Sequence, residues 1–174
     1  MKTILAAVVI TGILMLHSCS SDDDSSADGN DDSCGEVTNQ PVQGNFRGES
    51  FVSPDAFYKQ FNFGGMTTYR VDIYTKERID GDCLFPFFEG AQDNILFSIS
   101  TLDVQTITLS ESGENTLNFN RIVNGVTQIE LAECGEINIT NYNATTGEIQ
   151  GTVYAKGQEG SVVDGNFTLQ FCDN

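Results

Sequence analysis

Gly135-Glu136-Ile137-Asn138-Ile139-Thr140-Asn141-Tyr142, then Glu148-Ile149-Gln150-Gly151-Thr152-Val153-Tyr154-Ala155-Lys156, then Val162-Val163-Asp164-Gly165-Asn166-Phe167-Thr168-Leu169-Gln170-Phe171-Cys172, are three runs in which β-branched and aromatic residues alternate with polar ones. Phe167, Leu169 and Phe171 share one face, with Thr168 and Gln170 on the other. A period of two is the mark of half-buried antiparallel strands. Asn143-Ala144-Thr145-Thr146-Gly147 and Gly157-Gln158-Glu159-Gly160 lie between the runs and have the composition of hairpin turns. Residues 135–172 therefore read as a three-stranded meander.

The same pattern extends towards the N-terminus. Tyr69, Val71 and Ile73 face one way and Arg70 and Asp72 the other, and Ile95, Phe97 and Ile99 repeat the alternation. Asn124-Gly125 separates runs at 117–122 and 127–131 and is the strongest short-range hairpin signal in the chain. One helix start stands out: Ser53 as cap, Pro54 at the first helical position and Asp55 at the positive end of the dipole, with Phe57 and Phe61 on one face for one or two turns. The expected fold is all-β, an antiparallel β-sandwich or barrel of about nine strands closed by the C-terminal meander.

Ahead of this domain the chain changes character twice. Met1-Lys2-Thr3 is a short basic start, and residues 4–16 form a 13-residue apolar run. That is too short to cross a hydrocarbon core, which needs roughly 20 residues, and its flanks fit a secretory signal. Residues 19–33 are almost entirely Ser, Asp, Asn, Gly and Ala, a composition that buries no apolar area and predicts a disordered acidic tether. The expected organisation is a signal peptide at 1–18, a tether at 19–33 and one all-β domain at 34–174, large enough for a single core.

Charge and missing residue types exclude several functions. The chain carries 25 acidic and eight basic residues. Without the leader and its Lys2 the net charge is −18, of which the domain holds about −12. Such a field opposes nucleic acid and anionic lipid surfaces. The single histidine, His17, lies in the leader, and there is no tryptophan. A mature chain without imidazole cannot run Ser-His-Asp or Cys-His catalysis or build a zinc site that needs His.

Leu16-His17-Ser18-Cys19 resembles the lipobox of bacterial lipoproteins. The resemblance implies cleavage before Cys19 and lipid on its thiol, and several acyl chains on one residue hold a protein firmly to a membrane, at about 0.8 kcal/mol per buried CH₂. Ser21-Asp22-Asp23-Asp24 resembles the export signal of Bacteroidota surface lipoproteins, which implies an outer-membrane location facing the cell exterior. Gly48-Glu49-Ser50-Phe51, the run from Gly135 through Gly147-Glu148-Ile149 and Gly165-Asn166-Phe167 together resemble a group of small Bacteroidota lipoproteins with a C-terminal β-sandwich-like domain. That resemblance implies the fold and no catalytic residue.

With Cys19 set aside, Cys34, Cys83, Cys134 and Cys172 make an even set in an exported chain, which reads as two disulfides with three connectivities open. In a meander the first and third strands run parallel, so Cys134 at the start of one and Cys172 at the end of the other lie some 20 Å or more apart at about 3.3 Å per residue. A disulfide needs Cα atoms within about 7 Å, which excludes that pair. Of the two remaining schemes, the closeness of domain termini selects Cys34–Cys172 with Cys83–Cys134.

No metal or cofactor is expected. The acidic run at Asp22–Asp32 fails the calcium-loop pattern, because counting from Asp28 places Ser33 where the loop needs Gly and Asn39 where it needs Glu. Asp80-Gly81-Asp82 behind Glu77 reads as an acidic turn. Cys83-Leu84-Phe85-Pro86-Phe87-Phe88 is barred from a central strand by Pro86; exposed it would be a binding patch for a partner or a sugar ring, and the favoured reading is a buried loop closing one end of the domain, pinned by a disulfide at Cys83. Two classes of function follow. One is a non-catalytic surface module binding a glycan or an envelope protein, with tyrosines such as Tyr58, Tyr69 and Tyr74 as the available sugar platforms. The alternative is a hydrolase of envelope or extracellular glycans working through carboxylates alone. The absence of histidine and of any nucleophile motif favours the first.

Overall fold

The computed structural model describes residues 34–79, 83 and 92–172. Among the described residues ten strands follow one another: β1 Gln43–Phe46, β2 Glu49–Val52, β3 Asp55–Phe63, β4 Met66–Tyr74, β5 Gln92–Ile99, β6 Gln105–Ser110, β7 Leu117–Val123, β8 Val126–Asn143, β9 Glu148–Gly157 and β10 Val162–Phe171. The fold is all-β, and no helix occurs among the described residues. The three C-terminal runs form the expected meander, β8 antiparallel to β9 and β9 to β10.

Two strands organise the rest. The second part of β8 pairs with β6 and β9, while its first part pairs with β7. The start of β10 pairs with β1 and β9, and its end pairs in parallel with β3. The ladder therefore runs from β10 through β3, β4, β5, β7, β8 and β9 back to β10, with β6 and the β1–β2 hairpin attached outside this circuit. We call β1, β2, β6, β9, β10 and the second part of β8 the meander half, and β3, β4, β5, β7 and the first part of β8 the hairpin half. Alternate residues of both halves point into one core: Ile137, Ile139, Val153 and Leu169 from the first, and Val71, Ile73, Ile95 and Phe119 from the second, all 0–1% exposed. Phe46 meets Phe119 at 5.9 Å between ring centres and Phe97 meets Phe167 at 6.2 Å, so aromatic pairs join the two halves. Each such side chain contributes about 1.5–3 kcal/mol by leaving water.

Several expectations need correction. Residues 53–61 do not start a helix. Asp55–Phe63 is a strand whose nine residues all pair with β4 across the Gly64-Gly65 turn. Pro54 precedes the ladder, where its missing N–H costs nothing, and the Ser53 hydroxyl donates to the Asp55 carbonyl at 3.1 Å and caps no helix. The runs at 127–131 and 137–142 are not separate strands but parts of the 18-residue β8, because nothing in Ala132-Glu133-Cys134 breaks the chain. A register shift between Ala132 and Cys134 instead redirects it from one half to the other. Phe171 does not share the buried face of Phe167 and Leu169. It is 42% exposed and packs beside Tyr58 at 5.3 Å.

Two disulfides form, as expected, but neither expected pair does: Cys34 joins Cys134 and Cys83 joins Cys172, with Cα atoms 5.8 Å apart in each. Exclusion of Cys134–Cys172 by the meander stands. The argument from neighbouring termini fails for a specific reason. Residues ahead of β1 lie alongside β10 in parallel: Pro41 bridges Asn166, the Val42 N–H donates to the Asn166 carbonyl, and the Thr38 N–H donates to the Asp164 carboxylate at 2.9 Å. Reading back from Pro41 therefore leads to the start of β10. Cys134 is at that same end, since it pairs with Lys156 and Lys156 pairs with Val162. Cys34 consequently lies at the opposite end of β10 from Cys172.

Candidate functional site

Of the residues singled out from sequence, Cys19, Ser21, Asp22, Asp23 and Asp24 lie outside the described residues, as do Asp80, Gly81, Asp82 and Leu84–Phe88. Cys83 and Cys172 pack with Phe57 and Tyr74 in a small apolar cluster of their own. No group of three Cys, His, Asp or Glu placed to hold a metal occurs among the described residues.

A different surface carries concentrated chemistry. On β4 the core takes Val71 and Ile73, which sends Arg70, Asp72 and Tyr74 to the outer face of the hairpin half. Register places Phe57, Asp72, Leu96, Asn118 and Leu131 in one row across five strands. The next row holds Tyr74, Asn94, Asn120 and Ile129. Polar side chains on an outer face are ordinarily solvated. Here they are not: Asp72 is fully buried, and Asn94 and Asn120 are each 8% exposed.

Asp72 is held from three sides. Arg70 donates through Nε and Nη2, at 3.0 and 2.8 Å, Asn94 Nδ2 donates at 2.6 Å, and Lys59 Nζ stands 4.0 Å away. This charge-assisted set leaves the carboxylate satisfied. Burial pulls the Lys59 pKa below its usual value, against the pull of Asp72 in the other direction. Burial likewise pushes the Tyr74 phenol far above the ordinary tyrosine range, with Asp72 adding to it. The Arg70 Nη1 takes no part in the bonds to Asp72.

Above this network lies a groove of about 500 Å³, bounded by Lys59, Arg70, Asn94, Asn118 and Asn120. That volume falls in the range of small-molecule sites. Leu96, Ile122 and Ile129 add aliphatic surface between the polar groups. Two acceptors here are anomalous. The Oδ1 atoms of Asn118 and Asn120 are closed off from solvent and receive no donor from any described residue. A buried polar atom without a partner costs about 1–3 kcal/mol, and such atoms cluster where a ligand or water completes the set.

The other buried carboxylates are fully occupied inside the protein. Asp93 receives two guanidinium nitrogens of Arg121. Glu130, 1% exposed, accepts the Glu159 and Ser161 N–H groups and the Ser161 hydroxyl, and so fixes the turn between β9 and β10. No family model, curated protein or solved structure matches the chain.

Proposed function

We propose that this chain is a lipid-anchored module of the outer membrane, facing the cell exterior, which binds a partner on the outer face of its hairpin half without chemical turnover. The observation that carries the binding reading is Asn120, which lines an open groove over a charge-neutralised floor and whose buried Oδ1 has no donor. A face that only needed to stay soluble would leave its amides in water. The neutralisation of Asp72, Asp93 and Glu130 by internal cations and N–H groups supports the non-catalytic reading, since a carboxylate acid–base pair needs one group free to exchange protons with substrate. Leu16-His17-Ser18-Cys19 and Ser21-Asp22-Asp23-Asp24 support the location.

Two experiments test this. Cys19→Ser should release the protein from the membrane, and replacing Asp22, Asp23 and Asp24 with Ala should leave it anchored but shielded from protease added to intact cells. Continued protease access in the triple variant would contradict the surface assignment. For binding, detergent-solubilised full-length protein is used to capture material from an outer-membrane extract of the producing cells. Asn118→Ala with Asn120→Leu should abolish capture, while Thr106→Ala on the exposed side of β6 should not. Equal capture by all three proteins would remove the outer face of the hairpin half as the binding surface.

A further inference from the structure

We infer that the groove over Asn118 and Asn120 takes a polyhydroxylated ligand, the sugar rings of a glycan; this rests on the binding reading above and names its ligand class. Donors and acceptors of the groove must be matched by those of its ligand. Asn118 and Asn120 each line the groove with an amide whose Oδ1 lacks a donor and is closed off until the amide turns about χ2, and whose Nδ2 offers a donor. Lys59 and the Nη1 of Arg70 at the rim offer donors only. The complement is a ligand that both donates and accepts within a bond or two, which is what neighbouring hydroxyls on a ring provide.

Other ligand classes fit less well. An anion such as a phosphate or carboxylate accepts only, so both Oδ1 atoms would stay unpaired, and it would approach a strongly acidic domain. An apolar ligand would leave every amide unpaired. The aliphatic surface of Leu96, Ile122 and Ile129 matches the C–H faces of sugar rings, with the amides meeting the hydroxyls at the ring edges. Asn120 stands directly across from Asn94, whose Nδ2 is committed to Asp72. That bond fixes Asn94, the neighbour of Asn120 in the row, to the buried charge network.

The test extends the capture experiment. The outer-membrane extract is divided; one part is oxidised with periodate, which cleaves vicinal diols, and one is digested with proteinase K. Capture by the full-length protein should survive proteinase K and fall at least roughly tenfold after periodate, a loss of about 1.4 kcal/mol in binding. Asn120→Leu should reduce capture of the proteinase-treated extract to the same degree. It should also raise the thermal midpoint of the unliganded protein by about 3 °C, because it removes a buried acceptor that the free protein leaves unsatisfied. Should Asn120→Leu misfold by circular dichroism, Asn118→Ala serves in its place. Capture that is lost with the variant but is protease-sensitive and periodate-resistant overturns the glycan assignment and leaves the binding face standing. Absence of any capture, or capture indifferent to the variant, overturns both.

Discussion

Tyr58 shows how single residues tie this molecule together. Its ring is 1% exposed in the core, and its hydroxyl donates to the Gly147 carbonyl at 2.7 Å, linking β3 to the turn between β8 and β9. Burial, reinforced by neighbouring Tyr142, pushes its pKa from 10.0 to about 12. A group whose folded pKa lies above its unfolded value adds stability that is complete below the unfolded pKa and lost as pH rises through the folded one. Stability should therefore fall as pH climbs from 10 to about 12, and the fall should be shallower in Tyr58→Phe. Urea midpoints at several alkaline pH values check this, and identical slopes for the two proteins would contradict it. Glu130 ties by its carboxylate rather than by a ring: Glu130→Ala should cost roughly 3–5 kcal/mol by orphaning the N–H groups of Glu159 and Ser161, as measured by denaturant unfolding.

Among the strands, β8 is the element on which the architecture turns. Gly135, just past the register shift, has a φ of +150°, and a Cβ there would overlap the Tyr154 carbonyl oxygen of β9. Gly135→Ala should cost roughly 3 kcal/mol, from overpacking and a disfavoured backbone together. Gly160→Ala in the turn between β9 and β10, at φ +90° with open space around its Cβ, should cost about 1–2 kcal/mol from conformation alone. Comparing the two by thermal unfolding separates close approach from backbone strain. Element by element, alternation in the sequence located most strands, and Asn124-Gly125, both at positive φ, gave away the β7–β8 hairpin. It misled at Ser53-Pro54-Asp55, because helix-start chemistry is local whereas the pairing of β3 with β4 along nine residues is not. The candidate site was hidden for the same reason. Arg70 and Asp72 were legible as outward residues of β4, but the neighbours that bury Asp72 come from β3 and β5. Asn120 joins them only because β7, skipping β6, pairs with β5.

At the scale of the whole molecule, two disulfides close loops with sequence separations of 100 and 89 residues. On the chain-entropy argument each contributes about 4–5 kcal/mol. Cys34–Cys134 holds the N-terminal segment at the start of β10, and Cys83–Cys172 holds the β4–β5 connection at its end. One disulfide thus ties the N-terminal segment to β8 beside the start of β10, and the other ties the end of β10 to the β4–β5 connection. Cys83→Ser with Cys172→Ser should lower stability by roughly that amount and weaken capture by the groove, which lies on the strands that this disulfide joins to β10. The groove forms only if the chain is threaded this way. The most direct test is peptide mapping of the oxidised, unreduced protein. It should release one peptide pair joined by Cys34 and Cys134 and another joined by Cys83 and Cys172. Recovery of Cys34 with Cys172, or of Cys83 with Cys134, would contradict the parallel course of the N-terminal segment along β10 and the fold built on it.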